Sequence, residues 1–234
     1  PGHSVESDDT FNVYCRKGAD AIEIAILEDI GNDGWGGGVS SVDIKNALAS
    51  DPTAPVTVSI NSPGGLAYEG IAIYNQLASH RGEVTTVNEG LAYSAASVIF
   101  MAGDNRVMHE ASQFGIHRAR GGGYGKSTDL LGVATFLDEL DDLLIDLYQR
   151  RTGADRQQVV QWIDGTTNGE MGTMFAGQDA VDAGFATDVM AARPAEARAP
   201  VEAVAQLEDR CRKSVLPLAL RARREMIDTH RIHG

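Results

Sequence analysis

Short apolar runs alternate with helical segments along the first half of the chain, and this alternation constrains the fold more than any other feature. The segment Ala21 to Leu27 has isoleucine at every second position, and Pro55 to Ile60 is rich in β-branched residues, so both are typical of strands. A helical pattern follows from Ala67 to Ser79, then a third short strand from Glu83 to Val87 and a compact apolar helix from Ser94 to Ala102. Strands joined in this way by crossover helices predict an α/β fold with parallel strands.

The longest periodic segment runs from about Thr128 to Arg150. Its apolar seam alternates spacings of three and four residues and consists of Leu130, Val133, Leu137, Leu140, Leu144 and Leu147. Such a seam packs either against the core of its own chain or against another subunit, and both alternatives stay open here. The opposite face carries carboxylates that we expect in water, namely Asp138, Glu139, Asp141, Asp142 and Asp146. Shorter patterns predict strands at 106–109 and 113–117 and helices at 157–164 and 175–184.

Charge and composition divide the chain into an acidic body and a basic tail. The net charge is −13, yet residues 191–234 carry nine Lys or Arg against six Asp or Glu. The stretch AARPAEARAP at 191–200 is typical of a linker. We therefore expect an N-terminal segment at 1–19, one domain at 20–190, and a linker with a basic helical tail at 191–234. An acidic body argues against a nucleic-acid partner, because phosphate binding needs clustered Lys and Arg.

Cysteine usage and hydropathy indicate a cytoplasmic protein. Cys15 and Cys211 have no second pair that would suggest a disulfide framework or a metal site. No apolar run is long enough to cross a bilayer, and the first residues lack a signal-peptide pattern, so we expect no membrane partner.

Three segments carry candidate chemistry, each placed just after a predicted strand. The glycine pair of Asn61-Ser62-Pro63-Gly64-Gly65 allows close backbone approach, as in half of an oxyanion hole, but also suits a simple turn. Ser94 stands at a helix start, where the helix dipole favours a developing negative charge and the Ala95 N–H could donate to it; the alternative is a helix cap. His117 ends a strand and, weighed with that serine, is a candidate general base.

Other catalytic classes find less support in the sequence. The surroundings of Ser94 differ from the G-x-S-x-G elbow of α/β-hydrolases. No His, Cys or carboxylate grouping has metal-ligand spacing, so we expect neither a metal nor a cofactor.

Three linked motifs resemble those of a known family. The strings VSINSPGG, GLAYSAASVIFMAG and SQFGIHRARGGGYGKSTDL, in this order, are similar to the Clp protease proteolytic subunit family, and most to its phage-encoded prohead (head maturation) proteases. The resemblance implies a crotonase-like (ClpP-type) spiral fold and a serine endopeptidase. By position it makes Ser94 the nucleophile, His117 the base, and the N–H groups of Gly64 and Ala95 the oxyanion hole.

The third member of the family's triad is where the sequence departs from the pattern. The carboxylate position falls on Gly172, and the loop before Thr173 is longer than usual in the family. Glu170, or alternatively Asp164, could then orient His117. A Ser and His dyad or an inactive protein are the remaining alternatives.

The resemblance also implies partners and leaves two rivals. It implies a polypeptide substrate, with capsid or scaffold protein favoured, a ring-shaped homo-oligomer, and the assembling prohead as a setting; an ATPase partner stays open. The glycine-rich stretch after His117 and the long helix resemble the family's handle region. The rivals are a non-catalytic capsid scaffold, favoured by Gly172, and a CoA-dependent crotonase, which would need glutamates near the oxyanion hole rather than a Ser and His pair.

Overall fold

The computed structural model describes residues 13–17, 21–31, 38–165 and 171–192, with side chains described from residue 21 onward. The strands are β1 Val13–Lys17, β2 Ile22–Ile26, β3 Val56–Ser62, β4 Val84–Tyr93, β5 Asn105–His109, β6 Gln113–Ile116, β7 Thr173–Ala176 and β8 Asp188–Met190. The helices are α1 Ser41–Ala49, α2 Ala67–Ala78, α3 Ala95–Phe100, α4 Ser127–Thr152, α5 Arg156–Asp164 and α6 Gly177–Asp182.

A mainly parallel sheet runs in the order β1-β2-β3-β4-β5-β8. All neighbours in this order are parallel except β1, which pairs antiparallel with β2. The predicted α/β fold with parallel strands and crossover helices is therefore confirmed. β1 and β8 had no clear signal in the sequence, and β1 lies ahead of residue 20, where the domain was expected to begin.

Strand β4 belongs to two parts of the sheet, and this places the candidate site. Its first half, Thr85 to Asn88, pairs with β5, whereas Leu91 to Tyr93 pairs with β6. β6 in turn pairs antiparallel with β7. The predicted third strand was too short at Val87, because β4 continues to Tyr93 and so carries the chain directly to Ser94.

Helix α4 is buried only along its C-terminal half. Leu140, Leu144 and Leu147 pack into the core, whereas Leu130 is 47% exposed. The helix ends at Gly153, which adopts a left-handed conformation that favours glycine. The expectation that Asp141 stays in water is wrong, since it is 4% exposed.

Two further details differ from the sequence-based expectations. The helix predicted at 175–184 begins at Gly177, because Phe175 and Ala176 continue strand β7 against β6. The tail from residue 193 onward, with its predicted linker and helices, lies outside the described residues. Within the described ranges, no helix combines the length and apolar character that a bilayer crossing requires.

Candidate active site

Ser94 and His117 follow neighbouring parallel strands at the same end of the sheet. Tyr93 of β4 is in register with Gly115 of β6, and the Ser94 N–H donates to the Gly115 carbonyl over 3.1 Å. His117 lies two residues after Gly115, and its ring stacks on that of Tyr93 with centroids 4.8 Å apart. The carboxyl ends of parallel strands are where open α/β sheets place their sites.

The backbone of Ser94 adopts a conformation that side chains disfavour. Its φ of 57° is the only positive value at a non-glycine residue in the described part of the chain. Such strain persists only where the surroundings enforce it, and it concentrates at functional sites. Although Ser94 precedes helix α3, its hydroxyl makes no capping hydrogen bond. The alternative that Ser94 serves as a helix cap therefore finds no support.

Gly64 packs directly against the Ser94 turn. A Cβ at Gly64 would lie 2.6 Å from both Ser94 Cβ and the Tyr93 carbonyl oxygen, and 2.8 Å from the Ala95 nitrogen. Its φ of 99° also favours glycine. Only a glycine backbone can approach the Ser94 turn so closely, and this brings together three of the residues singled out from the sequence.

Hydrogen bonds from Ser97, in the first turn of α3, anchor the Ser94 carbonyl. It accepts from the Ser97 N–H over 2.9 Å and from Ser97 Oγ over 2.5 Å. Ser97 Oγ also shares a hydrogen bond of 2.8 Å with the hydroxyl of buried Tyr148 on α4. Neither Ser97 nor Tyr148 was singled out from the sequence, because a serine and a tyrosine on two separate helices carry no motif.

The backbone N–H groups around Ser94 differ in their availability. The Gly64 N–H donates to Ser62 Oγ over 3.2 Å, a bond it would exchange to serve an oxyanion. Among the described residues the Gly65 N–H has no hydrogen-bond partner, which makes it a further candidate donor beside Ala95. The sequence pattern offered the glycine pair as a whole, whereas the family resemblance implied the N–H of Gly64.

The His117 ring is held through its Nδ1 atom. Nδ1 lies 2.6 Å from the Arg118 carbonyl oxygen. A carbonyl can only accept, so Nδ1 carries the hydrogen and the neutral ring keeps its lone pair on Nε2. No hydrogen bond between Ser94 and His117 is present in the described structure, which is common for catalytic pairs before substrate binds.

Several groups set the pKa of His117. Burial is the main effect and lowers the pKa below its ordinary value of 6.5. The nearby Arg120 also lowers it, whereas the hydrogen bond to Arg118 and the charge of Asp141 raise it. The net lowering leaves the imidazole neutral at pH 7, the form that can accept a proton.

Gly172 occupies the position beside His117 where the family resemblance placed a carboxylate. A Cβ there would lie 1.9 Å from the Ile116 carbonyl oxygen and 2.7 Å from His117 Cα, so the site has no room for a side chain. Asp164 pairs instead with Arg118, at 2.5 Å from Nε, and makes no hydrogen bond to His117. Glu170 lies outside the described residues.

A cavity of about 470 Å³ opens beside the segment that directly follows His117. It combines apolar and charged lining and is formed by Arg118, Ala119, Arg120, Gly121, Leu137, Ile163 and Asp164. Across the described residues, no three His, Cys, Asp or Glu side chains gather into a group that could hold a metal ion.

Sequence comparisons find similar proteins among the Clp proteases. An ATP-dependent Clp protease proteolytic subunit from Nephroselmis olivacea is 30% identical over 115 residues, covering 48% of this chain and 55% of that protein. One from Deinococcus radiodurans is 32% identical over 115 residues, covering 48% and 56%. The matched region therefore spans about half the length of these curated relatives.

The fold itself has a solved counterpart. A point mutant of ClpP1 from Listeria monocytogenes superposes with a TM-score of 0.59 at 19% identity, over 73% of this chain and 92% of that one. The predicted ClpP-type fold is thereby confirmed. The Clp protease family model matches residues 44–193, which is more than half of the sequence. The chain therefore belongs to the Clp protease family.

Proposed function

We propose that this protein is a serine endopeptidase in which Ser94 is the nucleophile and His117 the general base. The observation that carries the proposal is the Ser94 turn. Ser94 has a strained backbone, its hydroxyl makes no capping hydrogen bond, and it follows the strand that pairs with the one before His117. Membership of the Clp protease family supports the same activity.

Acylation needs two proton transfers, one from Ser94 to His117 and one from His117 to the leaving group. As Ser94 Oγ attacks the carbonyl carbon of the scissile peptide, its proton passes to His117 Nε2, and the carbonyl oxygen becomes an oxyanion. The Ala95 N–H and an N–H of the Gly64-Gly65 pair would stabilise that oxyanion. His117 then gives its proton to the leaving nitrogen, the C–N bond breaks, and an ester to Ser94 remains.

Deacylation repeats these steps with water. His117 Nε2 takes a proton from water, the resulting hydroxide attacks the ester carbon, and the second oxyanion forms in the same place. Its collapse breaks the bond to Ser94 Oγ, which recovers a proton from His117. No metal or cofactor enters this sequence of steps.

The test is hydrolysis of an unstructured polypeptide, followed by mass spectrometry of the products. Ser94→Ala should abolish hydrolysis while thermal unfolding stays near that of the parent, and His117→Ala should be nearly as severe, because members of one catalytic unit are not additive. Ser112→Ala is the matched control, since Ser112 is a buried serine whose hydroxyl donates to the His109 carbonyl between β5 and β6. Full turnover by Ser94→Ala would refute the assignment.

We also propose a homo-oligomer, with a ring as its form, that uses the N-terminal half of α4. This half leaves apolar side chains in solvent, with Leu131 67% and Phe136 43% exposed, and Phe136 packs against Tyr68 of α2 at 5.7 Å. Clusters of this kind mark protein contacts. Light scattering should show an oligomer that Leu131→Asp dissociates; a monomeric parent that is active on peptides would contradict this.

For the substrate we propose an extended polypeptide of the capsid or scaffold type, cleaved in the cytoplasm or within a prohead. The support is the likeness of the sequence motifs to prohead proteases, and the cavity lined by the residues that follow His117 offers space for substrate side chains. Incubation with a phage capsid protein should give discrete fragments, which Ser94→Ala does not produce. An intact capsid protein alongside rapid cleavage of unrelated polypeptides would reject this setting.

The second candidate function is a non-catalytic scaffold. It is favoured by Gly172, which places a glycine beside His117 where the family resemblance implies a carboxylate. The hydroxyl of Ser94 makes no hydrogen bond that caps helix α3, and this argues for catalysis instead. The hydrolysis assay separates the two, since a scaffold would leave every polypeptide intact.

A further inference from the structure

The carboxylate of Asp141 is buried on helix α4 and is held by the segment that follows His117. Its side chain is 6% exposed. Oδ1 accepts from the Ala119 N–H over 2.6 Å, and Oδ2 accepts from Arg118 Nη1 over 3.0 Å. Both donors come from the two residues directly after His117, so α4 fixes the course of the chain leaving the base.

One peptide unit connects this carboxylate to the His117 ring. The Arg118 carbonyl that accepts from His117 Nδ1 and the Ala119 N–H that donates to Asp141 belong to the same planar group. The described chain has no cis peptide bonds, so the two groups point in opposite directions from that plane. Asp141, the peptide and His117 therefore form a continuous hydrogen-bonded series, in which each bond polarises the next.

Stability alone does not account for a carboxylate at this place. A buried ion pair is often no better for stability than apolar side chains of similar volume. On the same face of α4, Leu137 precedes Asp141 by four residues and Leu144 follows it by three. An apolar side chain such as leucine would therefore continue this face at position 141. Unlike leucine, the carboxylate supplies an acceptor for the Ala119 N–H and a negative charge near His117.

We propose that Asp141 is a positioning residue for the base, acting on His117 through the Arg118-Ala119 peptide in place of a carboxylate in direct contact. The blocked position at Gly172 is consistent with this arrangement, because a direct partner has no room there. The inference rests on the proposed function, in which His117 must present Nε2 to Ser94.

The charges around His117 determine how its titration responds. Asp141 favours the protonated ring, Arg120 disfavours it, and Tyr93 stacks on it as a neutral ring. Arg118 contributes its carbonyl and is itself paired with Asp141 and Asp164. Removing the charge of Asp141 should therefore lower the pKa of His117 and move the acid limb of kcat/KM to lower pH.

Two substitutions separate positioning from stability. Asp141→Leu keeps the helix face apolar but leaves the Ala119 N–H without its acceptor, so thermal unfolding should shift to a lower temperature. In the folded variant kcat should fall about 100-fold while KM changes little. Asp141→Asn retains an acceptor oxygen but loses the charge, so the loss should be about tenfold. In both variants the acid limb of kcat/KM should lie at lower pH than in the parent. Asp142→Asn is the matched control, an adjacent exposed carboxylate whose loss should leave kcat and the pH profile unchanged.

The experiment measures kcat/KM against pH together with thermal unfolding for the full chain and these three variants. An inactive parent would refute the proposed function itself, irrespective of Asp141. An active parent with Asp141→Leu and Asp141→Asn at parental kcat and an unmoved acid limb would overturn the positioning role alone. Should Asp141→Leu fail to fold, the pH profile of Asp141→Asn decides the question.

Discussion

The proposed nucleophile and the proposed base are held by different kinds of interaction. Ser94 lies among close-packed backbone and neutral hydrogen bonds, with Gly64 against its turn and the Ser97-Tyr148 pair behind it. His117 lies on a more exposed segment whose course is set by Arg118 and its two carboxylate partners. The nucleophile should therefore respond to changes of shape, and the base to changes of charge.

This difference follows from what each residue must do. The Ser94 backbone is strained, so it needs surroundings that cannot relax, and tight packing supplies them. In the proposed mechanism His117 changes its protonation during each cycle, so its surroundings must tolerate both states. A half-buried ring between charges of opposite sign meets that requirement.

The largest expected effect is on the side of the nucleophile. Gly64→Ala places a methyl group 2.6 Å from Ser94 Cβ in a conformation that favours glycine, so the Ser94 turn must shift. A displacement of this size should lower kcat by about 100-fold. Gly122→Ala is the control, because no atom lies within 4 Å of its added methyl group. Parental kcat for Gly64→Ala would show that the turn is not held by this contact.

The base side should be the more sensitive to pH. Since burial lowers the pKa of His117 below 6.5, the ring is neutral at pH 7 and activity should be on its plateau there. As pH falls through the lowered pKa, the base becomes protonated and kcat/KM should drop about tenfold per pH unit. A pH series on the parent enzyme checks this, and an acid limb above pH 6.5 would contradict the assigned surroundings.

A smaller effect on activity is expected from the hydrogen bond between Ser97 and Tyr148, because neither residue is proposed to contact the substrate. Tyr148→Phe deletes the hydroxyl that shares a hydrogen bond with Ser97, and should cost about 1 to 2 kcal/mol in the free energy of unfolding. Activity should fall less than threefold, because Ser97 Oγ still donates to the Ser94 carbonyl. Denaturant unfolding measures the loss, with Tyr124→Phe, a fully exposed tyrosine, as control.

The smallest effect is predicted for Glu170, the carboxylate that the sequence offered as a triad member. If the peptide acceptor orients His117, Glu170→Gln should keep kcat within about threefold of the parent. Asp164→Asn serves for comparison, since Asp164 contacts Arg118 on the exposed side. If Glu170→Gln lowers kcat by several orders of magnitude, Glu170 is the third member of a triad, and the proposal that a peptide carbonyl orients His117 is wrong.

Sequence patterns predicted the fold well because they are local. The strands and crossover helices follow from periodicity, and the family motifs point to Ser94, His117 and Gly64 by position. Asp141 was misplaced because its charge was given more weight than its spacing. It lies four residues after Leu137 and three before Leu144, which puts it on the buried face, and this signal was available in the sequence.

Other features had no local signal. The contacts of Tyr148 with Ser97 and of Gly172 with His117 join segments separated by more than 50 residues, and only the packing of the elements brings them together. Strand β8 is three residues long and is defined by its pairing with β5. Such short elements depend on tertiary partners more than on their own composition.

The most direct measurement of the central claim is covalent labelling of the purified chain with a fluorophosphonate, followed by peptide mapping. The proposed mechanism predicts one adduct per chain, on Ser94, with Ser97→Ala still labelled and both Ser94→Ala and His117→Ala unlabelled. Absence of an adduct from an enzyme that hydrolyses polypeptides, or an adduct on another serine, would contradict the assignment of Ser94 as nucleophile.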